Sequence, residues 1–564
     1  MINKTSLFTL LAVSLFFIST TSFKANAFVI KPEVVNHQAG VAMPDKFSAD
    51  VASDILSQGG NAVDAAIAAQ FVLAVTLPEA GNIGGGGFML VHKDGKNDFI
   101  DYREKAPLAA SRDMYLNEEG NVIPYKSVFG VFSSGVPGTV SGMWLAHQKY
   151  GTMAWEDLVA PAVNLAKNGF IVPAKLGSSV NWYINRMSKR NIQINFADYF
   201  ANAKAGELFK QEELAQTLSR IQKDGIAGFY QGKTADLMVA FIKDQGGLIS
   251  HKDLSLYEAK SRKPISADWK GYQVVTAPPP SSGGIAILQW LQMYELKAES
   301  KAQIHNASTY MHLLAEIGKR VFADRATYLG DPDFVDVPQE TLLSKAYIKK
   351  RASSIAMDKI SITEKVKPGI AESEQTTHFS IVDQWGNAVA NTTTLNLSFG
   401  SGMVVKGAGF ILNNEMDDFS AKPGVANVFG ALGGKANEIQ PQKRMLSSMT
   451  PTIVLKGGEV FMVTGSPGGT TIISSVYQSI LNVIEFNMTA TQAVNASRFH
   501  HQLWPKNVIR HHDGIREIVK TELTDMGYVL DNRRFGDMHI IVNKNGKIDA
   551  ASEASGRGKA IVLK

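Results

Sequence analysis

The chain has 564 residues, 45% hydrophobic and 19% charged, a composition ordinary for a globular protein and long enough to bury a large core. Its formal charge is +5, and Lys4 and Lys24 lie in an N-terminal leader, so the remainder carries about +3 (5 − 2). That is too little and too evenly spread to argue for nucleic acid or an anionic membrane as partner. With no cysteine, disulfides, thiolate catalysis and Cys-ligated metals are excluded, which leaves an oxygen, a nitrogen or a metal-bound nucleophile.

The leader "MINKTSLFTLLAVSLFFISTTSFKANA" joins an early basic residue to an apolar stretch, Leu7 to Ile18, and a small-x-small ending, Ala25-Asn26-Ala27. This layout predicts a signal peptide over 1–27. The apolar stretch is too short to span a bilayer. Export to the Gram-negative periplasm, or secretion, is expected. "DKFSADVASDILSQGGNAVDAAIAAQFVLAVTLP" reads as two helices split by Gly59-Gly60, the second alanine-rich and fit for close packing. "GNIGGGGFMLVHKDGKNDFIDYREKAP" predicts a glycine loop, a strand, a tight turn and a strand ending at Arg103. Helical patterns dominate 135–260. "TAPPPSSGGIAILQWLQMYE" opens a further helix and "TYMHLLAEIGKRVFADRATYLGD" another. Residues 360–375 read as a polar linker. Beyond it, "HFSIVDQWGNAVANTTTLN", "PTIVLKGGEVFMVTG" and "MHIIVNKNGKIDAAS" each read as strand, turn, strand, with helices at "TTIISSVYQSILNVI" and "IREIVKTELTDMG". Hairpins with interleaved helices predict sheets covered by helices on their outer faces. The pair His500-His501 could bind metal, but adjacent residues face apart, so a structural role is expected.

The seam "ESEQTTHFSIVD" places two threonines where the linker meets a strand. Threonine suits strands, which is one reading. The other makes Thr376 the first residue of a new chain. A threonine hydroxyl needs a base, and with no His/Asp set near it the most economical base is its own α-amino group, whose pKa of about 8 leaves it partly neutral near pH 7. That amine exists only once the Gln375–Thr376 bond is cut.

The segments "QTTHFSIVD", "TLNLSFGSG", "NNEMDDFS", "RMLSSMTPTIV" and "TGSPGGTTII" occur in order, with "GGGGFML", "DYREKAP", "PPPSSGG" and "DRATYLGDPDF" upstream. Together they resemble the gamma-glutamyltranspeptidase family, from about Gly40 to Phe499. The resemblance implies an α+β fold, the αββα four-layer sandwich of N-terminal nucleophile hydrolases. It also implies a precursor that cleaves itself before Thr376 into a large subunit, 28–375, and a small one, 376–564. Thr376 would attack the γ-glutamyl amide of glutathione or a related compound, passing the acyl group to water or to an amino-acid or dipeptide acceptor, with no metal or organic cofactor.

Site roles follow from the same resemblance. Thr394 would hydrogen-bond the nucleophile. Arg103, Ser447 and Ser448 would hold the substrate α-carboxylate, and Asn396, Glu415 and Asp418 the α-ammonium. Gly468 and Gly469 would form the oxyanion hole, because glycines before a helix let backbone N–H groups converge. The "GGGG" at Gly84–Gly87 lacks the ending of a phosphate loop, and close packing is expected of it. Phe429 stands where some relatives carry a lid tyrosine, so a lid here would lack a hydroxyl latch. Two alternatives remain open: a cephalosporin or glutaryl acylase, expected to lose part of the α-amino set, and a non-catalytic periplasmic binding protein, with no need of Thr376.

Overall fold

Two stacked antiparallel sheets carry the molecule in a computed structural model that describes residues 38–298, 303–363, 366, 376–420 and 434–564. The leader, Gln375 and Phe429 lie outside the described residues, as does most of the 360–375 linker. In the seven-stranded sheet the order is Lys559–Leu563, Ala39–Met43, Thr377–Val382, Ala388–Thr394, Gly86–Lys93, Lys96–Asp101 and Lys260–Arg262. The six-stranded sheet runs Lys547–Ser552, His539–Lys544, Glu459–Thr464, Thr452–Lys456, Tyr272–Thr276 and Ile265–Trp269. All three predicted C-terminal hairpins form, and they divide between the sheets: the one headed by Thr377 joins the first, the other two the second.

Period-two alternation sets what each face of the first sheet covers. Val41, Met89, Val91, Phe379, Ile381 and Val389 enter a core shared with the helices Lys46–Ser57 and Ala62–Thr76. Their neighbours Ala42, Phe88, Leu90, Val382, Ala388 and Ala390 enter another, shared with the second sheet and the helices Gly283–Ala298, Ser308–Tyr328 and Thr470–Ile484. The layers are therefore helix, sheet, sheet, helix, as the sandwich predicted. Every residue from Ala62 to Thr76 is buried, which explains the all-round apolar, alanine-rich sequence of that helix. An Asn61/Asp64 capping box starts it.

The tight turn after Lys93 is made by Asp94 and Gly95, both with positive φ (50° and 72°), as a two-residue hairpin requires. The strand that follows ends at Asp101 rather than at the predicted Arg103. There Asp101 Oδ1 accepts the Arg103 N–H at 3.0 Å, and the chain leaves the ladder. Tyr102 still exchanges backbone bonds with Gly87, and Arg103 beyond it lines the site.

Candidate active site

Thr376 stands immediately before the strand Thr377–Val382. Thr377 pairs with Thr393, so one further antiparallel step sets Thr376 beside Thr394, the last residue of the neighbouring strand. Thr394 Oγ1 accepts the Asn396 N–H at 2.7 Å, which leaves the hydroxyl proton to be donated. Asn396 adopts φ of 76°, a left-handed conformation tolerated by asparagine, and donates Nδ2–H to the Asn414 carbonyl at 2.9 Å. Asn82 fixes the end of the same strand from below. It donates to the Thr394 carbonyl (2.8 Å) while accepting from Gly85 N–H (2.9 Å) and Thr139 Oγ1 (2.6 Å).

The tetraglycine packs here without room for side chains. A Cβ on Gly85 would lie 2.2 Å from the Thr394 carbonyl oxygen, and one on Gly86 would lie 2.6 Å from Tyr102 O and from Glu104 Oε2. The run is a close-approach surface for the strand that carries Thr394.

Arg103 is fully buried, and its guanidinium donates through Nη1 to Glu415 and through Nη2 to Asp418. Nε and Nη2 also reach the carbonyls of Met445 and Leu446, each at 3.3 Å. The cation and the acids predicted for opposite ends of a zwitterion are thus paired with one another. Burial pulls the guanidinium pKa down, but the charges of Glu415, Asp418 and Glu104 outweigh it and hold Arg103 above its ordinary value. Burial pushes Glu415 and Asp418 up, against the pull of Arg103. Glu104, with both oxygens buried, is pushed up to about 7 by burial. The 3-10 turn Glu415–Asp418 is held by Asn413, whose Oδ1 accepts from Gly135 and Glu415 N–H groups (2.9 and 3.1 Å), and by Asn414, which donates to Val128 O at 2.8 Å.

Ser447 and Ser448 sit on a segment clipped to "PPPSSGG". Ser282 donates its N–H and its hydroxyl to the Ser447 carbonyl, both at 2.7 Å, and Ser281 Oγ donates to Met449 O at 2.7 Å. Behind them Arg325, also fully buried, donates Nε–H to Ser282 Oγ at 2.8 Å and Nη2–H to Ser448 Oγ at 3.3 Å. Ser282 Oγ and Ser448 Oγ also lie 3.4 Å apart, so the two hydroxyls and the Arg325 guanidinium form one hydrogen-bonded group beside the cavity.

Gly468 (φ 127°) and Gly469 (φ 57°) open the helix Thr470–Ile484. Their carbonyls accept from the N–H groups of Thr471 and Ile472, both at 3.0 Å. Among the described residues no acceptor takes the N–H of either glycine, the condition for amides that stabilise a developing oxyanion.

Arg103, Thr376, Thr394, Asn396, Glu415, Asp418, Ser447, Ser448 and Gly469 all line one cavity of about 20 Å³, with Met449 and Ile472. Gly468 adjoins it in sequence. His500 and His501 lie elsewhere, on a separate short strand, bonded to Ser474 Oγ and to the Val508 carbonyl at 2.7 Å each. Sequence reading missed the supports: Asn82, Glu104, Asn413, Asn414, Ser282 and Arg325. Five of them, all but Asn82, lie inside motifs already singled out ("DYREKAP", "NNEMDDFS", "PPPSSGG", "DRATYLGDPDF"), so the signal was present without a role attached.

Known proteins resemble this chain over most of its length. The family model described as Gamma-glutamyltranspeptidase matches residues 48–563. A "Glutathione hydrolase proenzyme" of Pseudomonas aeruginosa is 52% identical over 530 residues, covering 93% of this chain and 94% of that protein. Its Escherichia coli namesake is 44% identical, covering 92% and 90%. Among solved structures, the gamma-glutamyltranspeptidase from Pseudomonas nitroreducens complexed with L-DON is 52% identical, with a TM-score of 0.56 over 58% of this chain and 97% of that one. A cephalosporin acylase from Bacillus halodurans superposes with a TM-score of 0.82 over 97% of this chain and 99% of that one, at 25% identity. With the family model spanning nearly all of the described fold, the chain belongs to the gamma-glutamyltranspeptidase family.

Proposed function

We propose that the chain is an exported precursor, its leader 1–27 removed, that cuts itself between Gln375 and Thr376 and acts as a γ-glutamyltransferase and glutathione hydrolase. The subunits would be 28–375 and 376–564. The carrying observation is one buried cavity in which a threonine heading a strand meets an arginine–carboxylate set able to take both charges of an α-amino acid.

In processing, Thr376 Oγ attacks the Gln375 carbonyl, its proton passes to the peptide nitrogen as the C–N bond breaks and frees the α-amine, and water then hydrolyses the resulting ester to release the Gln375 carboxylate and restore the Thr376 hydroxyl. In turnover that amine takes the Thr376 hydroxyl proton as Oγ attacks the γ-amide carbonyl, with Thr394 donating to the nucleophile. The proton passes to the leaving amine as the C–N bond breaks, and the Gly468 and Gly469 amides face the oxyanion. Water or an acceptor amine then attacks the ester and returns the proton to Thr376 Oγ. The α-carboxylate of the donor takes the Arg103 fork and the Ser447 and Ser448 hydroxyls, while Asn396, Glu415 and Asp418 receive the ammonium. A zwitterion entering between Arg103 and its two paired acids, Glu415 and Asp418, gives each side an opposite charge on the substrate in place of the other. This explains selection of γ-linked glutamate over ordinary peptides. Donors are glutathione and other γ-glutamyl compounds; acceptors are amino acids or dipeptides. No cofactor enters any step.

The purified protein should give two bands on a denaturing gel, the smaller beginning at Thr376, and should release p-nitroaniline from γ-glutamyl-p-nitroanilide. Thr376→Ala should give one band and no turnover. Cutting that survives this substitution refutes self-cleavage. Cutting accompanied by activity on glutaryl-p-nitroanilide in place of the γ-glutamyl compound favours the acylase alternative.

A further inference from the structure

The strand Glu459–Thr464 runs into the loop that carries Gly468 and Gly469, and its antiparallel neighbour His539–Lys544 begins at the same end of the sheet. The turn that feeds this neighbour, residues 535–538, therefore lies against the glycine loop. Asp537 N–H donates to Ser466 Oγ at 3.3 Å, and Ser466 Oγ donates to Pro467 O at 2.8 Å. Gly536 has no room for a side chain. A Cβ there would lie 2.8 Å from Ser466 Oγ and 3.1 Å from Ser475 Oγ, on the helix that the glycines open.

An ion pair holds the same turn from behind. Arg498 and Glu553, both almost fully buried, meet at 2.6 Å. Arg498 Nη2 also donates to Phe535 O at 3.2 Å and Nη1 to Val494 O at 2.9 Å, while Glu553 Oε2 accepts the Met538 N–H at 3.1 Å. The pair thus grips the turn at both ends. Burial raises the Glu553 carboxyl, but Arg498 and hydrogen bonds from Ser555 and Met538 outweigh it and hold the group below its ordinary value. Both partners therefore stay charged. Two buried charges are a poor source of stability, because desolvation cancels much of their attraction. What this pair supplies is position, through a rigid fork and a carboxylate fixed to backbone three residues apart. Ser466, Arg498, Gly536 and Glu553 are all absent from the lining of the Thr376 cavity.

We infer, on the γ-glutamyl reading above, that Arg498 and Glu553 are positioning residues for the oxyanion amides, acting through Gly536 on the loop of Gly468 and Gly469. They govern binding of the tetrahedral transition state and touch no substrate. Ground-state binding rests on the two α charges, held by other residues. Displaced amides would therefore weaken the transition state and leave the ground state nearly alone.

The test compares two inhibitors of the processed enzyme. Norvaline carries the two α charges on a five-carbon chain and offers nothing to attack. 2-Amino-4-boronobutanoic acid carries the same charges with boron in place of the last carbon. Thr376 Oγ adds to that boron: an O–B bond forms, the hydroxyl proton passes to the Thr376 α-amine, and the boron becomes tetrahedral and negative beside the glycine amides. Inhibition constants against γ-glutamyl-p-nitroanilide do not depend on the active fraction. Gly536→Ala drives a methyl group against Ser466, and Arg498→Lys keeps the charge beside Glu553 but loses the fork. Misplacement of about 1 Å costs up to ~10²-fold, so each variant should weaken the boronate about tenfold or more. Norvaline inhibition and KM should stay within about threefold. Equal weakening of both inhibitors, or an unchanged boronate constant, would overturn the inference. Where Gly536→Ala yields no processed protein, Arg498→Lys alone decides. An unsubstituted enzyme that binds the boronate no better than norvaline, or releases no p-nitroaniline, fails the γ-glutamyl reading itself, a separate outcome.

Discussion

Replacing Arg103 with lysine keeps a positive charge and removes a geometry. The guanidinium makes four side-chain hydrogen bonds, to Glu415, Asp418, Met445 O and Leu446 O, from a rigid fork. An ammonium offers its donors from a single point and cannot grip a carboxylate through two parallel bonds. Alanine would be the wrong probe: it strands Glu415 and Asp418 without their cation, at about 3–5 kcal/mol of stability. For lysine, one charge-assisted bond to the substrate α-carboxylate is lost, about 2–3 kcal/mol, or about 30- to 150-fold in kcat/KM. The assay pairs γ-glutamyl-p-nitroanilide with 4-aminobutyryl-p-nitroanilide, which lacks only the α-carboxylate. Arg103→Lys should depress kcat/KM for the first by that factor and for the second by less than about threefold. An equal fall for both substrates would refute the reasoning, since the damage would then be structural, and no fall for either would remove Arg103 from carboxylate binding.

Gly469→Ala places a side chain at φ 57°, ψ −128°, a conformation open essentially to glycine alone, at a backbone cost of about 1–3 kcal/mol. It should lower kcat by about 10²–10³-fold while KM moves only a few-fold, as expected for lost oxyanion donors; a KM effect alone would contradict that role. Asp417 is buried, and burial pushes its pKa from 3.8 up to about 7 despite a hydrogen bond from Ser127. The folded protein therefore binds a proton that the unfolded chain has released, so this stability is complete below about pH 4 and lost as pH rises through about 7. Asp417→Asn needs no proton. Its unfolding free energy relative to the parent should improve from about pH 4.5 to about pH 8, by at most about 4 kcal/mol. A difference independent of pH in denaturant titrations would show that Asp417 does not titrate in the fold.

Local chemistry wrote much of this molecule into its sequence. The paired helices split by Gly59-Gly60, the hairpins after Thr376, and the helix opened by Gly468-Gly469 follow from periodicity and turn residues that act within a few positions. Motifs in order, through their resemblance to the gamma-glutamyltranspeptidase family, were enough to nominate Arg103, Thr376, Thr394, Asn396, Glu415, Asp418, Ser447 and Ser448, roles that side-chain chemistry by itself left open. Three things waited for the tertiary structure. The hairpins divide between two sheets, a matter of which strand edges meet across hundreds of residues. Arg103 is clamped by the acids that share its cavity, a balance of burial and charge between positions more than 300 apart in the chain. The props Asn82, Ser282 and Arg325 gain their roles only when distant loops are folded against Thr394 and Ser448. A sequence records what each residue can donate or accept; packing chooses the partner.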